Sequence, residues 1–154
     1  MGDHGQVSAR FRARTEPADL SYGGRDIHYL ATGGTTDGAF GLYRWNFGPD
    51  ESGPGPHFHK TMSESFFVLE GTVRLYDGER WREGQAGDFL HVPPGGVHGF
   101  RNVPGAPASM LLLFAPGAPR EEYFEMLAEI AGGRQLGEQE AEEFFLRHDN
   151  YSVD

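Results

Sequence analysis

An all-β sandwich or barrel is the fold class this sequence predicts, and three observations predict it. The aromatic residues (Phe 12, Tyr 6, Trp 2) fall mostly in short runs. Turn formers separate those runs, with Gly 23 and Pro 10 in a chain of 154 residues. Apolar residues at helical spacing appear only after Pro119. Short strands between frequent turns pack as sheets on sheets, not as a helical bundle.

The elements follow in order. Residues 1–18 form an N-terminal segment in which residues 7–14 read as an edge strand. Residues 26–32 read as a strand, Gly33 to Gly38 as a hairpin loop, and residues 39–47 as the return strand, rich in the aromatics that strands favour. Tyr43, Trp45 and Phe47 share one face of that strand, where core packing is their expected role. The run Gly48-Pro49-Asp50-Glu51-Ser52-Gly53-Pro54-Gly55-Pro56 breaks any regular element. Further strands are expected at 57–59, 64–70, 73–76, 89–92, 97–102 and 109–114, with Asp77-Gly78 and Pro94-Gly95-Gly96 as turns.

Residues 19–117 thus make a β-barrel and residues 118–154 a helical extension. Tyr123, Phe124, Leu127, Ile130 and Ala131 repeat at helical spacing, Glu121 and Glu122 suit a helix N-terminus, and Gly132-Gly133 stops it. A second helix spans residues 138–147, with Ala141, Phe144 and Phe145 on one side. Both helices are expected to pack on the outside of the barrel, their apolar stripes serving as core.

Composition removes several function classes. The formal charge of -10 repels phosphate backbones and argues against nucleic acid as a partner. Nine acids lie between Glu121 and Asp149, and a solvated helical face accounts for them. Cys is 0, which excludes disulfides, zinc–thiolate clusters and a thiol nucleophile. No apolar run approaches the ~20 residues of a membrane span. The first residues lack the apolar core of a signal peptide, so a cytoplasmic protein with no membrane partner is expected.

The chemistry concentrates in His57, His59, Glu64 and His98. Three imidazoles and a carboxylate are an N/O ligand set for one divalent transition metal. On a strand, His57 and His59 point to one face about 6.6 Å apart along the chain, a gap two imidazoles can close around an ion. Glu64 lies five positions after His59, an odd number, so Lys60-Thr61-Met62-Ser63 must bend to bring it onto the same side. His98 must arrive from elsewhere in the sheet, after a turn at Pro93-Pro94-Gly95-Gly96. Alternation then sets Phe66 and Val68 on the Glu64 face and Phe100 beside His98, as the wall of a substrate pocket. One carboxylate and three neutral imidazoles leave a divalent site at net +1, able to bind an anionic substrate oxygen. Four ligands leave two of six positions free. The bland reading is that these are surface residues: with 7 His, about 0.3 H-x-H pairs arise per chain by chance. His91 is expected to be packed or hydrogen-bonded, and His4, His28 and His148 exposed.

The joint spacing outweighs that chance figure. His57-x-His59-x4-Glu64-x6-Gly71 and Gly87-x5-Pro93-x-Gly95-x2-His98-x3-Asn102 resemble the two motifs of the cupin superfamily. Glu51 stands where the first motif has its leading glycine, with Gly53 close by. The resemblance implies a jelly-roll barrel and often a homodimer. It also implies one Fe, Mn, Ni, Cu or Zn ion held by His57, His59, Glu64 and His98. The chain looks most like single-domain cupins of the flavonol-dioxygenase kind, through these motifs and the Phe114-Ala115-Pro116-Gly117 segment before the helix. The implied function is a metal-dependent dioxygenase for a phenolic or enolisable carbonyl substrate, with Glu64 as catalytic base. Alternatives are a non-oxidative isomerase, cyclase or decarboxylase, and a ligand-binding module without turnover.

Overall fold

The computed structural model describes Gly5 and residues 9–153. Within them the order is β1 (Leu20–Tyr22), β2 (Arg25–Ala31), β3 (Gly41–Asn46), β4 (His57–Phe58), β5 (Ser63–Glu70), β6 (Val73–Tyr76), β7 (Trp81–Gly84), β8 (Phe89–Val92), β9 (Gly99–Asn102), β10 (Ser109–Ala115), α1 (Arg120–Ala131), α2 (Glu138–Arg147) and β11 (Tyr151–Ser152). A six-stranded sheet runs β1-β2-β3-β10-β5-β8, a three-stranded sheet runs β7-β6-β9, and β11 pairs with β4. The architecture is all-β with two C-terminal helices, as the sequence predicts. No helix among the described residues is long and apolar enough to cross a membrane.

Alternation along each strand decides what the sheets bury. On β3, Gly41, Tyr43 and Trp45 are buried while Leu42, Arg44 and Asn46 are partly exposed. On β10, Met110, Leu112 and Phe114 turn inward, opposite Val68, Phe66 and Glu64 of β5. The three-stranded sheet closes the core with Val73, Leu75 and Phe100. Edge-to-face aromatic contacts knit the two sides: Trp45 to Phe100 at 5.8 Å and Trp45 to Phe124 at 5.4 Å between ring centroids. Each such pair contributes about 0.5–1.5 kcal/mol beyond its buried area.

Both expected helices form over the predicted spans. Tyr123 and Phe124 of α1 pack on the sheet, Phe124 meeting Tyr43 at 5.1 Å, and Phe144 of α2 stacks on Tyr123 at 5.5 Å. The acids of α1 are not all idle in solvent. Glu121 accepts a hydrogen bond from the Tyr43 hydroxyl, which anchors the first turn to β3.

Several expectations need correction. Of the edge strand at 7–14, Val7 and Ser8 lie outside the described residues and residues 9–14 carry no strand. That segment is held by side-chain bonds instead: Arg12 donates to the carbonyls of Tyr29 and Pro17 and pairs with Asp19 at 3.0 Å. Arg12 also contacts the His28 ring, and His28 is buried, not exposed. His148 is buried too, packed against the Phe144 ring at the end of α2, while His4 lies outside the described residues. His91, by contrast, is hydrogen-bonded as expected, through Nδ1 to Ser65 Oγ at 2.9 Å, on the exposed face of β8. Strands β1, β7 and β11 have no counterpart among the expected elements. Each is short, and Trp81-Arg82-Glu83-Gly84 has a single large apolar residue to mark it.

Asn102 explains why the last position of the second motif carries an amide. Fully buried on β9, it accepts from the Ser52 backbone N–H at 2.8 Å and donates to the carbonyls of Gly48 at 3.2 Å and Asp50 at 3.0 Å. It thereby fastens the irregular run before β4 to the three-stranded sheet. Gly53 completes that fastening. Its φ is +129°, and a Cβ there would lie 2.0 Å from the Phe100 carbonyl oxygen, so only glycine fits. The glycine absent at Glu51 has its steric counterpart two residues later.

Candidate metal centre

His57 and His98 meet across a two-way backbone bridge, each N–H donating to the other's carbonyl at 2.9 Å. His59 follows β4 directly. The chain bends at Lys60-Thr61, and Glu64 then enters on β5 facing inward. Asp149 holds the bend: its carboxylate accepts from the Lys60 N–H at 2.9 Å, the Thr61 N–H at 2.8 Å and the Thr61 hydroxyl at 2.7 Å. The second motif closes the same corner. Gly95, at φ +85° in the turn bonded from the Gly96 N–H to the Pro93 carbonyl, donates its own N–H to the His59 carbonyl at 2.6 Å.

These constraints bring the three imidazoles together, each offering a ring nitrogen within 4.8 Å of the others. Glu64 Oε2 lies 3.2 Å from His98 Nε2 and 3.7 Å from His59 Nε2. All four side chains are buried, with exposures of 5% for His57, 3% for His59, 3% for Glu64 and 0% for His98.

The partners of the remaining ring nitrogens decide what this cluster can hold. His57 Nδ1 bonds to the Gly55 carbonyl at 2.8 Å, His59 Nδ1 to the Asp149 carbonyl at 2.7 Å and His98 Nδ1 to the Gly96 carbonyl at 3.0 Å. A carbonyl only accepts, so each Nδ1 carries the proton and each neutral ring keeps its lone pair on Nε2. Such carbonyl partners orient metal-binding imidazoles and raise their basicity. His59 Nε2 is buried with no hydrogen-bond partner. His98 Nε2 faces a carboxylate oxygen, two acceptors in contact unless a proton or a cation lies between them. The donor set therefore fits a divalent cation.

Electrostatics within the cluster follow from this crowding. Burial, then the neighbouring His98 charge, hold His57 down at about 4. Burial pulls His98 down as well, but the Glu64 carboxylate outweighs it and raises the ring above 6.5. Burial pushes Glu64 up, yet the His98 charge and the histidine contacts prevail and keep it below the usual carboxylate range. Without a cation, one proton shared by His98 and Glu64 relieves the conflict.

A cavity of about 570 Å³ opens beside the cluster, with His57, His59 and Glu64 in its wall. Trp45, Phe100, Leu112, Phe114 and Phe124 make that wall largely apolar. Of the three pocket residues expected from alternation, Phe100 lines the cavity, whereas Phe66 and Val68 do not. Both are fully buried; Phe66 packs behind the centre, 5.9 Å from the His98 ring and 5.8 Å from Phe100. Strand alternation puts them inward as expected, but Met110, Val73 and Leu75 fill that end of the barrel. The missing wall comes from the helical extension. Tyr123, Phe124, Leu127, Ile130 and Ala131 of α1 all line the cavity, so its apolar stripe is pocket wall along its length, with Tyr123 and Phe124 also packed into the core.

Arg120, Arg25 and Asn150 also line the cavity and had no place in the sequence-based site. Arg120 carried a signal: it is the first residue of α1, where the helix dipole disfavours a cation and where Glu121 and Glu122 follow.

Comparisons with known proteins agree with this geometry. The cupin domain model (Cupin_2) matches residues 43–114, which span β3 to β10 and all four candidate ligands. The chain is 34% identical over 84 residues to quercetin 2,3-dioxygenase of Bacillus subtilis, a match covering 51% of this chain and 23% of that protein. The chain thus corresponds to less than a quarter of that relative's length. Among solved structures, KdgF from a Halomonas species superposes with a TM-score of 0.60 at 16% identity, over 71% of this chain and 94% of that one. A sugar phosphate isomerase of the cupin superfamily from Silicibacter pomeroyi superposes with a TM-score of 0.52 at 27% identity, over 66% of each chain. Jelly-roll sheets and gathered histidines agree with the matched domain, and residues 43–114 carry a cupin domain.

Proposed function

We propose that this protein is a metal-dependent small-molecule enzyme, a dioxygenase acting on a phenolic or enolisable carbonyl compound. One observation carries the reading: three imidazoles with their Nδ1 protons already donated gather round a buried carboxylate, and two of them, His57 and His59, lie with Glu64 in the wall of a largely apolar cavity. The similarity to quercetin 2,3-dioxygenase supports the oxidative choice. An Fe, Mn, Ni, Cu or Zn ion held by His57, His59, Glu64 and His98 supplies Lewis acidity toward a substrate hydroxyl and, where redox-active, access to dioxygen.

The chain's own groups do the rest. Trp45, Phe100 and Phe124 present ring faces and edges to a flat aromatic substrate and keep water from it. Glu64, the buried carboxylate in the cavity wall, is the proton acceptor for the substrate hydroxyl.

A second reading, non-oxidative isomerisation, cyclisation or decarboxylation, draws support from the likeness to the Silicibacter isomerase. Oxygen uptake by the iron-, nickel- and manganese-loaded protein over a panel of phenols and 1,3-diketones separates the two. Uptake that His59→Ala abolishes, together with its metal content, supports the dioxygenase. Turnover under nitrogen with a zinc-loaded protein and no uptake with any metal supports the second reading. A ligand recovered unchanged after prolonged incubation in air with metal rejects both.

A further inference from the structure

Arg120 is 3% exposed, and its guanidinium lies in the wall of the cavity that holds the candidate ligands. Among the described residues only Nη1 has a hydrogen-bond acceptor, the His148 carbonyl at the end of α2. Nε is buried without a partner, and no carboxylate lies within 4 Å of the group among the described residues. The ring faces of Tyr123, 4.3 Å from its Cζ, and Phe114, at 5.3 Å, hold the guanidinium in place. Glu64 and Asp149 act on it through space but make no ion pair with it, and the desolvation of a cation this buried costs several kcal/mol.

Two other lining residues repeat the pattern. Trp45 Nε1 and Arg25 Nε are buried donors with no acceptor, and Arg25 is stacked on Tyr22 with its Cζ 4.4 Å from the ring centroid. Three residues that line one mostly apolar cavity, two of them cations, thus each carry a buried N–H without a partner. With a divalent ion and Glu64 at net +1, Arg120 and Arg25 bring the cavity to about +3 in a protein of net charge -10. The cavity is electropositive where the molecule as a whole is not.

We infer that the cavity takes a carboxylate-bearing aromatic or enolisable ligand, and that Arg120 is the specificity-determining residue that receives its carboxylate. The planar guanidinium fork matches a carboxylate in a way a lysine does not, and a water-poor wall strengthens the pair. The inference rests on the reading above, in which the ligand's hydroxyl or enol end meets the four-donor centre. Arg25 stands as the second cation in the same wall.

The test is binding, not turnover. Manganese-loaded protein is titrated by calorimetry with the ortho, meta and para hydroxybenzoates, the matching hydroxyphenylpropanoates, and the neutral carboxamide of each. At least one carboxylate is expected to bind about tenfold or more tightly than its amide. Arg120→Met removes that preference with metal content unchanged, and Arg120→Lys, which keeps a charge and a donor toward His148, retains part of it. Equal binding within every pair, no binding of any carboxylate, or a preference that survives in folded Arg120→Met overturns the inference. Should Arg120→Met not fold, the wild-type pairs and Arg120→Lys still decide it. Selective carboxylate binding without oxygen uptake leaves this inference standing while the dioxygenase reading falls. Uptake confined to neutral phenols does the reverse.

Discussion

Asp149 and His59, 90 positions apart, are joined by a 2.7 Å hydrogen bond from the imidazole Nδ1 to the Asp149 carbonyl. Asp149 is one of two non-glycine residues with positive φ among the described residues, at +55°, and that conformation turns its carbonyl to His59 while its carboxylate clasps Lys60 and Thr61. The C-terminal segment therefore sets both the tautomer of one ligand and the bend that delivers another.

From that relationship, Asp149→Gly is expected to lower metal affinity about 10–100-fold, in the range of lost outer partners. Glycine accepts the backbone conformation without strain, so the loss reports the carboxylate. Asp149→Asn, which keeps one acceptor oxygen, should fall between the two. Competition against a chromogenic chelator measures it; affinity equal to wild type in Asp149→Gly would show that the bend holds itself.

Protonation gives the second prediction. In metal-free protein, His57 should remain neutral until the pH falls to about 4, while His98 gains its proton above the ordinary 6.5. The two act with opposite sign on stability. The depressed His57 contributes stability present above about 6.5 and lost as pH falls toward 4, since the unfolded chain takes the proton first. The raised His98 contributes stability present below 6.5 and lost as pH rises through its folded value. Imidazole nitrogen shifts followed by NMR from pH 8 to 4 resolve the rings; His57 titrating with an ordinary midpoint contradicts the assignment.

Much of this site was legible before any coordinates, because metal-ligand chemistry and strand geometry both act at short range. The odd step from His59 to Glu64 demanded a bend, and Lys60-Thr61 supplies one. Pro93 to Gly96 announced the turn that brings His98 back. What could not be read depends on contacts between distant residues. Nothing local marks Asp149 as the clasp of that bend, or distinguishes Phe100, which lines the cavity, from Phe66, which packs against the His98 and Phe100 rings. Alternation gives the face of a strand but not how far the barrel is filled along it. Leu127 and Ile130 look the same on a helical projection whether the neighbour is a side chain or a cavity.

Asn102 supplies the third prediction. Asn102→Ala deletes a side chain making three backbone hydrogen bonds at 3.2 Å or less and leaves buried groups of residues 48–52 unsatisfied. A loss of about 1–3 kcal/mol is expected, read from urea unfolding of the metal-free protein. Asn102→Asp keeps the acceptor for Ser52 but loses both donors and buries a charge, so it should be at least as damaging. A midpoint unchanged in both variants would mean the loop is held by Gly53 and its neighbours alone.

The outer face of the six-stranded sheet carries the last prediction, a homodimer of the kind the cupin resemblance implies. Leu111 of β10 lies opposite Phe67 of β5, which lies opposite Phe89 of β8, one row across three strands. Phe67 is 40% and Phe89 63% exposed, and Leu69 and Leu113 extend the apolar surface on either side. This exposed apolar ladder is the surface through which such a dimer is expected to form. Two copies joined through it would bury both phenylalanines while leaving the cavity, on the inner side of the same sheet, open. Phe67→Glu with Phe89→Glu is expected to yield monomers by light scattering without altering metal content, because neither side chain reaches the centre. A wild-type protein that is monomeric at high concentration, or a double variant that remains dimeric, places the interface elsewhere.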